Sequence, residues 1–240
     1  MNTREDKFSS SMVQTPPSGI RKFFEMLIGH DDVISLSVGE PDFPTPWCIR
    51  EEAFYHLEKG HTSYTSNWGL LELREEISKY MQKYNMHYNP QKEILITVGA
   101  SEGVDASLRA ILNPGDEIIV CQPCYVNYVP LARLCEVNVV PIDTSVNGFY
   151  PTAEQIEKAV TPKTKAVMIC SPNNPTGTMI PKDELEKIAE IVKKHQLWVI
   201  SDEIYCELAY DGAEHVSIGS FPGMKDYTII LNGFSKSFAM

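Results

Sequence analysis

The sequence predicts an α/β fold built around a mostly parallel sheet with helices on both faces. Three observations predict it. Short apolar runs alternate with segments of helical period, and the runs at 94–98, 117–121, 138–142, 166–170, 197–201 and 228–231 have the length and β-branched content of strands. Most are apolar throughout instead of alternating, as strands covered on both faces must be. Residues with chemistry to offer gather just past the carboxyl ends of these runs, where open α/β sheets hold their ligands.

Taken in order, the chain is polar over 1–16, then runs through Pro17-Ser18-Gly19 into an amphipathic helix over 20–28 and a brief strand over 33–37. Segment 38–46, VGEPDFPTP, places three prolines and a glycine in nine residues and reads as a rigid extended loop. In it, Gly39 lets a ligand approach the backbone. Helical spacing over 47–59 ends at Gly60, and an aromatic turn over 64–69 leads to a helix over 70–84 with Leu71, Leu73, Ile77 and Tyr80 inward. The next unit is a strand at 94–98, a small-residue turn at 99–103 and a helix at 104–112, a geometry that aims free N–H groups at an anion. Strand 117–121 ends near Tyr125 and Tyr128, and helix 129–135 and strand 138–142 follow. Thr152 is the expected N-cap of a helix over 153–160. Strand 166–170 exits into SPNNPTG, whose prolines pin the asparagines between them. Helix 182–194 leads to strand 197–201 and Asp202-Glu203-Ile204-Tyr205, and strand 228–231 presents Ser235 and Lys236 after a small turn. An ammonium at a strand end is desolvated, so it needs a partner or a chemical task.

Composition excludes several classes. The 240 residues carry 21 basic and 32 acidic side chains, a net charge of -11, with no basic block, which argues against nucleic acid and anionic membranes as partners. No apolar run reaches the length of a membrane span, and the first residues lack an apolar signal core, so cytoplasm is the expected location. Six scattered cysteines read as reduced thiols, and the Cys121–Cys124 CxxC has no second pair to complete a metal site, so no metal is expected. The turn TVGASEGV is similar to that of short-chain dehydrogenases, but the YxxxK pair, Tyr55 and Lys59, precedes it here, against the order of that family.

A phosphate anchor, an aromatic face, an amide, a carboxylate, a phenol and an amine around one crevice suit a phosphorylated pyridine aldehyde, pyridoxal 5'-phosphate. The segments SVGEPDFPTP, YTSNWGLLELRE, TVGASEGVDASL, SPNNPTG, SDEIY and GFSKSFAM, in this order, resemble those of class I/II, fold-type I aminotransferases of the aspartate and aromatic kind. The resemblance implies Lys236 as the Schiff-base lysine, Asp202 on the ring nitrogen, and Tyr205 and Asn174 on the ring 3-oxygen. It further implies Tyr125 on the ring face, Ala100, Ser101 and Ser235 on the phosphate, and Gly39, with Tyr125 and Asn174, near the substrate. Tyr64 corresponds to a tyrosine that the family sends across a homodimer interface to the neighbouring phosphate.

The implied fold is the large domain of a fold-type I transferase, with residues 1–45 as N-terminal arm and part of a small domain and 46–240 as the cofactor-binding large domain. The implied reaction moves an amino group between an L-amino acid and a 2-oxo acid. Two departures accompany it. Gly233 stands where the family has a phosphate-binding serine, and the sequence stops at Met240, before the family's two further arginines and the rest of the small domain, so a fragment is expected. A carbon-sulfur β-lyase of the same cofactor fold and a non-catalytic aminotransferase-like binding module are the alternatives.

Overall fold

The computed structural model describes residues 7–17, 19 and 39–240. The expected helix over 20–28 and strand over 33–37 lie outside the described residues. Within them, β1 (Glu117–Gln122), β2 (Asn138–Asp143), β3 (Thr164–Cys170), β4 (Trp198–Asp202) and β5 (Thr228–Leu231) form one sheet in the order β2-β1-β3-β4-β5. Every pairing is parallel. Register sets Cys170 beside Asp202 and Asp202 beside Leu231, so the carboxyl ends of β3, β4 and β5 line up.

Period-two alternation divides the core in two. Ile119, Cys121, Val167, Ile169 and Val199 face α6 (Ala153–Ala159) and α7 (Lys182–His195), meeting Ile156, Leu185, Ile188 and Val192. Ile118, Val120, Ala166, Met168, Cys170 and Ile200 face α4 (Gly99–Ile111) and α5 (Tyr128–Leu134), meeting Val104, Leu108, Tyr128 and Ala132. Each large aliphatic buried in this way contributes about 1.5–3 kcal/mol of transfer free energy.

The helices follow from local chemistry. In α7 the buried residues Leu185, Ile188, Ala189 and Val192 fall at helical spacing on one face, with Asp183 and Glu184 in the first turn and Lys193, Lys194 and His195 in the last. Thr152 caps α6 as expected: its hydroxyl accepts from Gln155 N at 3.2 Å, and Gln155 Oε1 accepts from Thr152 N at 3.1 Å. α1 (Ser10–Val13) is a single capped turn. α3 (Leu71–Met81) ends earlier than its periodicity predicts, in a 3-10 turn over Gln82–Tyr84 and a left-handed Asn85. Its buried residues are Arg74 and Met81, whereas Leu71, Leu73, Ile77 and Tyr80 are half-buried. Helix α2 (Trp47–Glu58) forms where helical spacing places it but buries none of its residues.

Two expectations are corrected. Residues 94–98 form no strand: Ile96 N donates to Trp68 O at 3.1 Å, and Leu95 and Val98 are exposed. An apolar run becomes a strand only when a ladder partner is beside it, and none lies beside this one among the described residues. The small-residue stretch 99–103 is not a turn preceding the helix. It is the opening of α4 itself, entered through Gly99 at φ 74°, a conformation that glycine adopts without steric cost.

Past β4, alternation sends Asp202 and Glu203 apart. Glu203 is buried with Ser201 Oγ and Ser217 Oγ donating to its Oε1 at 2.8 and 2.7 Å and His215 Nε2 3.0 Å from its Oε2. This cluster ties the segment after β4 to the underside of the sheet. Glu203→Ala strands two hydroxyls and an imidazole nitrogen in the interior and is expected to cost about 3–5 kcal/mol. Urea unfolding checks this through a lowered midpoint at unchanged slope. A loss under about 1 kcal/mol would show that the cluster does not hold the segment.

Candidate active site

The site assembles from loops at the carboxyl edge of the sheet. After residues 94–98, Thr97 Oγ1 donates to Gly99 O at 2.9 Å and Glu102 accepts from Val98 N, fixing the entry to α4. The backbone N–H groups of Ala100 and Ser101 lie in the first turn, where a helix supplies no internal acceptor, and no side chain caps it. Ser101 Oγ is 3.5 Å from Tyr125 Oη, and Asn127 Nδ2 donates to the same phenol at 3.0 Å. The Tyr125 ring meets Tyr128 edge to face, with centroids 5.6 Å apart.

The exit of β3 is stiffened by its own asparagine. Asn173 N donates to Thr178 O at 2.9 Å, Asn173 Nδ2 reaches Pro123 O at 3.4 Å, and Asn173 Oδ1 accepts from Thr176 Oγ1 at 3.1 Å. This frees Asn174, whose Nδ2 donates to Tyr205 Oη at 3.0 Å. Burial raises the Tyr205 phenol above its ordinary value, and the Asn174 bond to its oxygen partly offsets that.

Asp202 is the last residue of β4 and is buried, with Tyr128 Oη donating to Oδ2 at 2.5 Å and Ile204 N donating to Oδ1 at 3.2 Å. Burial pushes its pKa up. The two hydrogen bonds work against that, and the neighbouring Glu203 charge adds to it. Both bonded donors are neutral, so among the described residues the carboxylate has no bonded cation.

Lys236 lies in α8 (Phe234–Ser237), the single turn that follows β5. Its Nζ donates to Gly39 O at 2.6 Å and sits 6.0 Å from the centroid of the Tyr205 ring. The strand-end lysine thus finds a backbone carbonyl as its partner. Gly233, just before, leaves room for Ile204: a Cβ there would lie 2.8 Å from Ile204 Cδ1. A serine at 233 would require that side chain to move.

Contacts therefore link Gly39, Lys236, Tyr205 and Asn174 in one chain and Ser101, Tyr125 and Asp202, through Tyr128, in another. Ser235 is exposed, and Tyr64 is fully exposed; neither makes a side-chain hydrogen bond among the described residues. Tyr128, Asn127 and Asn173 are the contributors to which the sequence alone assigns no task. The signal for Tyr128 is its place three residues after Tyr125, on the inner face of α5. Burial raises the CxxC thiols, Cys121 to about 12 and Cys124 to about 11, which keeps both protonated.

Known proteins resemble this chain over most of its length. Residues 31–240 match the family model described as aminotransferase class I and II. The chain is 51% identical over 97% of its length to a putative aminotransferase, YugH, of Bacillus subtilis, covering 60% of that protein. It is 46% identical over 93% of its length to a probable N-acetyl-LL-diaminopimelate aminotransferase of the same organism, covering 56% of it. A crystal structure of Pyrococcus protein-A1 superposes with a TM-score of 0.92 at 43% identity, over 96% of this chain and 60% of that one. The chain thus spans somewhat over half the length of the relatives it matches.

The Asn174 to Tyr205 bond makes a prediction about ionisation. Asn174→Ala removes a donor that favours the phenolate, so the Tyr205 titration is expected to move further up in pH. Carbon-13 NMR of ring-labelled tyrosine follows it directly. A midpoint that stays or falls would mean that the amide does not act on the phenol.

Proposed function

Because the chain belongs to the class I and II aminotransferases, we propose that the protein transfers an amino group between an L-amino acid and a 2-oxo acid, using pyridoxal 5'-phosphate in this crevice. One observation carries the proposal: Asp202 is a buried carboxylate whose hydrogen-bonded donors among the described residues are neutral, and it pairs in register with Leu231, at the end of the strand that leads to the amine of Lys236. A buried charge is costly without a partner, and a protonated ring nitrogen supplies one. When bound, the cofactor supplies an aldehyde that condenses with amines and a protonated ring that accepts the electrons of a carbanion.

The remaining assignments are parts of the same proposal. The free N–H groups of Ala100 and Ser101, with the hydroxyls of Ser101 and Ser235, would hold the phosphate. Tyr125 would lie against the ring face, and Asn174 and Tyr205, already hydrogen-bonded to each other, would share the ring 3-oxygen. Lys236 would hold the cofactor and then, freed by the incoming amine, carry the proton from the substrate α-carbon and return it. Gly39 would border the substrate carboxylate, and its carbonyl already receives the Lys236 ammonium.

We assign residues 46–240 to the cofactor-binding large domain and 1–45 to the arm and part of the small domain. A homodimer with shared sites is supported by fully exposed Tyr64 and by Trp47, Phe54 and Leu57, apolar side chains that α2 leaves uncovered. A cytoplasmic location is proposed with it, and no described helix is long and apolar enough to cross a membrane.

Pyridoxal phosphate added to the protein and reduced with borohydride is expected to label Lys236, as mapped by peptide mass. Lys236→Ala is expected to abolish transamination, with loss of at least about 10³-fold, while binding through the phosphate contacts persists. Label on another lysine, or undiminished turnover in the variant, would refute the assignment.

A further inference from the structure

Among the described residues Asp202 has two hydrogen-bond donors, and only one of them is a side chain. That side chain, Tyr128, opens α5 and is 2% exposed, its ring packed in the core beside Val104, Leu108 and Met168. Its hydroxyl makes one hydrogen bond among the described residues, to Asp202 Oδ2 at 2.5 Å, the length of a charge-assisted contact. Burial and the charge of Asp202 both push the Tyr128 phenol upward, so it remains a neutral donor. Other titratable groups around Asp202 come from β3, where Cys170 adjoins it in register, and from its own strand's extension, where Glu203 and Tyr205 follow. None of them donates a hydrogen bond to the carboxylate.

Resting on the cofactor reading above, we propose that Tyr128 is the positioning residue for Asp202: its hydroxyl fixes the carboxylate's orientation and favours its charged form without neutralising it, leaving the charge for a protonated heteroaromatic ring. A cationic donor in the same place would satisfy Asp202 and remove its need for the ring. An apolar residue would leave the carboxylate with one backbone donor and favour its protonated form. Tyr128 would not touch the ring nitrogen and acts through Asp202.

Tyr128→Phe tests this, because it deletes the oxygen and keeps the ring that the core packs around. Affinities for pyridoxal phosphate and for its 1-deaza analogue, which lacks the ring nitrogen, are measured by intrinsic fluorescence. In the unliganded protein, the carboxyl signal of Asp202 is titrated by carbon-13 NMR. The variant is expected to lose about tenfold in affinity for pyridoxal phosphate and less than about twofold for the analogue, the first being roughly what one hydrogen bond to a charged group supplies. The Asp202 titration should move to higher pH. Equal losses for both ligands, or no loss, would overturn the role of Tyr128 and leave the cofactor reading intact. Failure of the unaltered protein to bind either ligand would overturn both readings, although the NMR titration would still report whether Tyr128 acts on Asp202. If Tyr128→Phe does not fold, 3-fluorotyrosine at position 128 makes the hydroxyl a stronger donor at nearly unchanged volume. The Asp202 titration should then move downward, and an upward or absent shift overturns the proposal.

Discussion

Burial of the parallel sheet on both faces is the constraint on which the rest depends. With helices on each side, the apolar side chains from Ala166 to Cys170 in β3 and at Val199 and Ile200 in β4 enter one core or the other, and the period of two decides which. Asp202 shares the parity of Ile200 and so meets Tyr128 at the edge of the core under α4 and α5, while Glu203 joins Ser201 and Ser217 on the other side. Two adjacent carboxylates are thereby separated and given different company. One receives two hydroxyls and faces an imidazole, and the other receives a phenol and a backbone N–H. A one-residue slip of β4 would exchange their places.

Much of this architecture is legible in the sequence. The sheet strands are readable because central strands of a parallel sheet are apolar from end to end, and prolines, glycines and asparagines punctuate them; β5 matches its expected span residue for residue. Thr152 is readable as a cap because the capping box is a local device. The run at 94–98 reads as a strand for the same apolar reasons and fails as one, since pairing is a property of the neighbour and periodicity carries no information about it. The stretch after it looks like a turn because Gly99 and Gly103 disfavour helix, yet tertiary packing draws it into α4. Gly103 would bring a Cβ to within 3.0 Å of Leu231 Cδ2, so smallness there serves close contact between helix and sheet.

The site divides along the same line. Lys236, Asp202, Tyr205, Asn174 and Ser101 are polar residues placed at or just past the ends of apolar runs, and that anomaly is visible in one dimension. Which of them touch is not, because Asn174 and Tyr205 are 31 residues apart and Tyr128 and Asp202 are 74 apart. Tyr128 is hidden more thoroughly still, since a large aromatic on the inner face of a helix reads as core and most of its surface is core. Only the position of one oxygen gives it another task.

The bond from Lys236 to Gly39 joins residues 197 positions apart, and Thr45 accompanies it by donating to Ala239 O. Closing so long a loop costs chain entropy that local contacts do not repay, so the sheet and its helices can form before this corner does. The corner that these two bonds close is one whose order a ligand can control by mass action. Any ligand that spans the Gly39 and Lys236 sides would stabilise the closed arrangement in proportion to the logarithm of its concentration, so occupancy and completion of the fold become one equilibrium.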